Sequence, residues 1–316
     1  MTLPVGSGFS LEIVYNLHKK KENKAGFMRS KRDIYAIVLV FGSVVGAYLA
    51  TTSTAQTGTQ PAQVVADNEY QAGATLWTQK AAEYRALAYQ AFNIARMRLD
   101  ADLDRRNLKR LPGRERRKPR AIVVDIDETV LDNSPAQAAG IRARKPFSLP
   151  DWYAWGEMRK AKAVPGAVEF LNYAGRKGVK VFYVSNRDDV PQRQMTIDNL
   201  KNAGFNDVTV DNVLLRIRDA EGNNVSTKTP RRDQVSKRYR IVLLMGDNLD
   251  DFSDVFERRS VADRFAETDK ARAEWGSRWI VLPNPMYGTW ENALYDYQRL
   301  TEAQKTEKRN AAFDLP

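Results

Sequence analysis

The chain has 316 residues, 50 basic against 39 acidic, a formal net charge of +11, no cysteine and a single histidine, His18. No disulfide, thiolate nucleophile or Cys-ligated metal is possible, and beyond residue 18 a Ser-His-Asp triad, a phosphohistidine and a His-ligated zinc are excluded as well. Any enzyme chemistry must rest on carboxylates, hydroxyls, Lys, Arg or an oxygen-ligated metal, and the basic balance favours anionic partners.

Residues 1–27 form a polar, basic leader, unusual ahead of a signal-like segment. "MRSKRDIYAIVLVFGSVVGAYLATTSTAQ" starts at Met28. A basic stretch (Arg29, Lys31, Arg32) precedes an apolar run from Ile34 to Ala50, and Ser53 and Ala55 stand before Gln56 as at a signal cleavage site. The run is slightly short for a transmembrane helix, which needs about 20 residues. Residues 28–55 therefore read as a secretory signal, with a retained membrane anchor as the alternative, and Met28 is expected to be the true start. The expected location is periplasmic or secreted, or membrane-tethered if the signal is uncleaved. Residues 1–55 hold seven basic and three acidic residues, which leaves +7 on the remainder.

Residues 56–68 are small and polar and read as a linker. From Glu69 to Leu103 apolar residues (Leu76, Ala81, Tyr84, Leu87, Ala88, Ala91, Ile94, Ala95) recur at three- and four-residue steps, the period of a helix. A dense basic run, "RRNLKRLPGRERRKPR", occupies 105–120. It reads either as a solvated connector or as a lure for anionic substrates or a polyanion.

The chain then alternates. "AIVV" is a β-rich run that ends in acids, and a polar, Trp-bearing segment comes after it. A helix is expected from about Gly166, a strand over "VKVFYVSNRDD", a helix ending at Gly204, and short strands at "VLLR", "RIVLLMGDNLDDF" and "RWIVLPNP". Strands alternating with helices imply an α/β fold with a parallel sheet and helices on both faces. Ligands of such sheets bind beyond the carboxyl ends of the strands.

Three strands end in candidate chemistry: Asp125 and Asp127; Ser185, Asn186 and Arg187; and Gly246, Asp247, Asn248, Asp250 and Asp251. Two residues apart on an extended backbone, Asp125 and Asp127 should point the same way. Adding Asp247 places three carboxylates in a small volume, which repel without a cation. Oxygen donors suit a hard ion, most simply Mg²⁺. "STKTPRRDQ" offers Lys228, Arg231 and Arg232 as positive charge for a phosphoryl group, with Ser185 and Asn186 completing a cradle. Each motif alone is weak. Their order, each behind an apolar run, carries the reading.

"DIDETVLDNS", "VSNR", Lys228 two residues before Pro-Arg, and "GDNLDDF" resemble the four motifs of haloacid-dehalogenase (HAD) superfamily phosphatases. These versions are most similar to the class C acid phosphatases, a lipoprotein-type 5′-nucleotidase family, and the similarity runs from about Leu76 to Ala293. The resemblance implies a HAD-like Rossmannoid core with a small helical cap, built from 69–103 and about 133–165, in a phosphatase domain spanning 69–316. It implies Asp125 as nucleophile and Asp127 as general acid, then base. It implies Mg²⁺ held by Asp125, the backbone carbonyl of Asp127, Asp247 and, through a water, Asp251. Ser185, Asn186 and Lys228 would bind phosphoryl oxygens. Trp152, Tyr287 and Trp290 would line a slot for the base or ring of a small phosphomonoester, a nucleoside 5′-monophosphate or aryl phosphate. The family's lipidated cysteine has no counterpart here, so lipid anchoring through cysteine is excluded. A non-catalytic nucleotide or polyanion binder and a phosphotransferase share these motifs and remain alternatives. No nucleic-acid recognition motif accompanies the basic run, and the sequence does not set an oligomeric state.

Overall fold

The structure, a computed structural model, describes residues 68–316; the leader, the signal or anchor at 28–55 and linker residues 56–67 lie outside the described residues. Five parallel strands form the central sheet: β1 (Arg120–Val124), β4 (Lys180–Asp188), β5 (Val213–Arg216), β6 (Arg240–Gly246) and β7 (Trp279–Val281), in the order β5-β4-β1-β6-β7. Two short strands, β2 (Leu131–Asp132) and β3 (Lys162–Ala163), pair antiparallel outside it. The expected doubly covered parallel sheet is therefore present, a HAD-like α/β core. From β1 the chain first builds outward through β4 and β5, then returns to the other side of β1 for β6 and β7. That reversal leaves a crevice at the carboxyl end of β1.

The α-helices of six or more residues among the described residues are α1 (Ala72–Lys80), α2 (Ala82–Leu103), α3 (Ser134–Arg142), α4 (Leu149–Met158), α5 (Ala167–Arg176), α6 (Asp189–Asn202), α7 (Thr229–Arg238), α8 (Val261–Lys270), α9 (Thr289–Leu294) and α10 (Glu302–Ala311). Successive side chains of β1 feed opposite faces. Ile122 and Val124 enter the larger core with Ala88, Phe92, Leu99, Phe170, Leu171 and Leu200. Ala121 and Val123 pack with Phe182, Val184 and Val235 on the other side. The apolar runs of the central strands arise from this two-sided burial.

One expectation changes. The resemblance assigns 69–103 to the cap, yet α2 lies on the sheet. Its Ala88, Ala91, Phe92, Ala95 and Leu99, spaced at three and four, join the strand residues in one core. Small alanines let the helix approach the sheet closely, so its periodicity is that of a core layer. Helices α3 and α4 are inserted between β2 and β3, with α1 packed against α3. Among the described residues, no helix is long and apolar enough to cross a membrane.

Leu99 is fully buried beneath the sheet. Leu99→Ala should destabilise the protein by about 2–5 kcal/mol, the usual cost of such a truncation. Urea unfolding should show this with turnover of the remaining folded protein unchanged; a cap helix would give the reverse.

Candidate active site

The site forms where β1, β4 and β6 end. Asp125 directly follows β1 and extends its ladder, its N–H donating to the Met245 carbonyl at 2.9 Å. Asp247 follows β6. Asp251 lies in the turn Leu249–Asp251, where a reciprocal cap fixes it: its Oδ2 accepts from the Asn248 N–H at 3.0 Å. That leaves Oδ1 for the cluster. Gly246 makes the turn possible, since a Cβ there would collide with the Asp251 carboxylate. Carboxylate oxygens of Asp125, Asp247 and Asp251 all lie within 4.8 Å of one another.

Lys228 precedes α7, whose first turn contains Pro230. Its ammonium donates to Asp125 and, at 2.6 Å, to Asp251 Oδ1. Thr129 Oγ1 donates to Asp247 Oδ1 at 2.9 Å and Asn284 Nδ2 to Oδ2 at 2.8 Å. One lysine thus faces three carboxylates. Burial raises the Asp125 carboxyl; Lys228 opposes this, and Asp251, Asp247 and Asp127 reinforce it. Burial and then Asp251 push Asp247 up to about 7, against hydrogen bonds from Asn284 and Thr129 and the charge of Lys228. Lys228 is raised by Asp125 and Asp251 in spite of its burial. Hard oxygen donors, close together and short of positive charge, fit a divalent cation.

Asp127 departs from the expected geometry. Regular extension stops at Val124, and Ile126 O accepts from the N–H groups of Val130 and Leu131 at 2.9 and 2.8 Å, closing a turn. Asp127 therefore faces β4, away from the acidic trio. Asp251 takes the place expected for its carboxylate. Arg187 Nη2 donates to Asp127 Oδ1 at 2.7 Å, and Nε donates to Oδ1 and Oδ2 at 3.1 and 3.2 Å. Asn133 Nδ2 also donates to Oδ1, at 2.8 Å, and Ser185 Oγ to Oδ2 at 3.3 Å.

The other candidates divide. Ser185 and Arg187 are buried on one face of β4, while Asn186 is exposed on the other, as a two-residue period requires. Asn186 Oδ1 accepts from Arg231 Nη2 at 2.7 Å. Arg231 and Arg232, counted as phosphoryl-binding charge, are engaged elsewhere: Arg231 donates to the carbonyls of Ser185, Ser226 and Thr227, and Arg232 to those of Asp250 and Asp251. Burial lowers both, Arg231 to about 10. Trp152, on α4, lies 5.3 Å from the Arg187 guanidinium. Tyr287 donates its hydroxyl to Glu128, and Trp290 is exposed just past Gly288. Sequence reasoning gives Arg187 no role, and it passes over Asn133 and Glu128. The alternation of β4 was the available signal for Arg187; Asn133 and Glu128 sit unmarked inside the first motif.

Residues 40–290 match the family described as HAD superfamily, subfamily IIIB (acid phosphatase). Among solved structures, the class C acid phosphatase from Bacillus anthracis is similar at TM-score 0.71 and 39% identity, covering 79% of this chain and 99% of that one. The same enzyme with tungstate bound gives TM-score 0.70 and 39% identity, covering 78% and 98%. Acid phosphatase 1 of Solanum lycopersicum is 29% identical over 167 residues, 52% of this chain. The match spans 57% of that relative's length.

The raised Asp247 gives a signed prediction for stability. Its unfolded form ionises near 3.8 and its folded form near 7, so stability held below about pH 4 is lost as pH rises towards 7. In chelator, this group should lower Tm across that window. Adding a divalent cation should raise Tm far more at pH 7.5 than at pH 4.5, because the cation needs the ionised carboxylates. Thermal scans at both pH values check this; an equal increment at both would contradict it.

Proposed function

The chain belongs to the acid phosphatase family of the HAD superfamily, subfamily IIIB, and on that premise we propose that it hydrolyses phosphomonoesters in acid conditions with Mg²⁺ as its cation. The observation that carries the reading is the grouping of Asp125, Asp247 and Asp251 around Lys228, with Asp127 held separately a short way along the same loop.

Asp125 is the nucleophile. One of its carboxylate oxygens attacks phosphorus, the bond from phosphorus to the ester oxygen breaks, and Asp127 gives a proton to the departing alkoxide. A water then attacks the aspartyl-phosphate while Asp127 takes its proton. Phosphate leaves and Asp125 is regenerated. Two moderate displacements replace one hard one. Lys228 and Ser185 hold phosphoryl oxygens. Asp125, Asp247, Asp251 and the Asp127 carbonyl would hold Mg²⁺, which when bound neutralises the carboxylates and withdraws charge from the phosphoryl oxygens. The tungstate of the Bacillus anthracis structure is a tetrahedral oxyanion, and this cradle suits the same shape and charge. Asp127 must carry a proton to act as the acid of the first step.

Trp152 and Tyr287, with Trp290 at the edge, supply aromatic faces at the rim of the site for a base or aryl ring. Nucleoside 5′-monophosphates and aryl phosphates are accordingly the proposed substrates. The signal-like segment at 28–55 supports action outside the cytoplasm, periplasmic or secreted, or tethered by an uncleaved signal.

Phosphate release from a panel of monophosphates tests the reading. Asp125→Asn should abolish turnover, and chelator should do so reversibly, with Mg²⁺ restoring it. Asp127→Asn should lower kcat about 10²–10⁴-fold, the usual contribution of an acid–base group. AMP should be cleaved well ahead of glycerol phosphate; equal rates would remove the stacking slot. No release from any monoester with Mg²⁺ present would overturn the proposal.

A further inference from the structure

Asn133 is 2% exposed and sits just after β2, where the chain enters the cap. Its backbone N–H donates to Glu128 Oε1 at 2.8 Å. Its side-chain Oδ1 accepts from Trp155 Nε1 at 2.8 Å, and Arg187 Nη2 approaches the same oxygen at 3.4 Å. Its Nδ2 donates to Asp127 Oδ1 at 2.8 Å. An indole N–H and a guanidinium can only donate. The oxygen of the amide must therefore face Trp155 and Arg187, and the NH₂ group must face Asp127. The amide has no freedom to flip.

The consequence falls on Asp127. Its Oδ1 accepts from Asn133 at 2.8 Å and from Arg187 at 2.7 and 3.1 Å. Its Oδ2 has longer contacts, 3.2 Å to Arg187 and 3.3 Å to Ser185 Oγ. One oxygen is saturated with donors and the other is lightly held. We propose that Asn133 is the positioning residue for Asp127, set by Trp155 on the cap helix, and that it reserves Oδ2 as the oxygen that exchanges a proton with the leaving group. This rests on the acid–base role given to Asp127 above. It assigns to the cap a second task beside stacking. Trp155 reaches from α4 into the core loop, so seating of the cap orients the acid.

The leaving group supplies a readout that a merely structural role would not move. An alkoxide needs a proton to depart, whereas nitrophenolate departs without one. The ratio kcat/KM reports steps up to loss of the leaving group, so it isolates this proton transfer from later hydrolysis of the aspartyl-phosphate. Asn133→Ala and Trp155→Phe should be measured on p-nitrophenyl phosphate and glycerol phosphate, beside wild type and Asp127→Asn. Trp155→Phe removes the indole donor and keeps an aromatic ring, which guards against a simple folding failure of the buried Asn133 variant. The expected result is a fall of about 10–100-fold on glycerol phosphate for Asn133→Ala, part of the full acid–base contribution. On p-nitrophenyl phosphate the fall should be under about threefold. Trp155→Phe should show the same bias, smaller in size. Equal losses on both esters, or no loss, in variants whose folding is verified by circular dichroism would overturn the inference. Should Asp127→Asn itself show no leaving-group bias, the acid assignment falls first. Should Asp127→Asn show it and Asn133→Ala not, only the positioning role is lost.

Discussion

A surplus of negative charge where two buried strands, β1 and β6, end side by side governs this molecule. Asp125, Asp247 and Asp251 share a space into which a single ammonium, that of Lys228, projects. Buried like charges at such separations cannot all stay ionised alone. The protein meets this with hydrogen bonds from Thr129 and Asn284, with the lysine, and with a donor set suited to a hard cation. Structure nearby serves to hold that arrangement. Gly246 leaves room for Asp251, the Asn248–Asp251 cap fixes which oxygen turns inward, and Arg231 and Arg232 tie down carbonyls around the crevice.

The two aspartates of the first motif are separated by a turn, and that separation divides their chemistry. Asp125 continues the sheet and joins the β6 side, where positive charge is scarce. Asp127 swings to the β4 side, where Arg187 and Asn133 hold its carboxylate with several donors. On the proposed mechanism, the first attacks phosphorus and the second exchanges the proton. The network around Asp127 reaches the cap through Trp155, while Arg187 lies close to the Trp152 ring. Cap and core thus share a set of hydrogen bonds at the point where substrate would sit.

Much of the core fold was legible because it arises from short-range periodicity. Apolar runs of strand length, separated by helices, specify a two-sided parallel sheet, and the acids at the strand ends mark its functional edge. Helix α2 misled for a physical reason. An amphipathic helix rich in alanine reads the same whether its apolar face meets a sheet or another helix, and only the strand residues Ile122 and Val124 reveal which it meets. The arginines of "STKTPRRDQ" were equally ambiguous. Sequence gives a guanidinium's charge but says nothing of the carbonyls that will claim its donors.

By itself, the sequence determined which chemistry was available: no cysteine, one distant histidine, and acids grouped behind hydrophobic runs. It also determined the strand alternation that separates Ser185 and Arg187 from Asn186, a property of local backbone geometry. Only the tertiary structure decided which carboxylates meet, because a turn of a few residues redirects Asp127 and because a capped turn beyond β6 brings in Asp251. It decided, too, the partners of Asn133. Two of those partners, Trp155 and Arg187, lie 22 and 54 residues away, and no local rule links positions that meet only after the inserted helices fold onto the sheet.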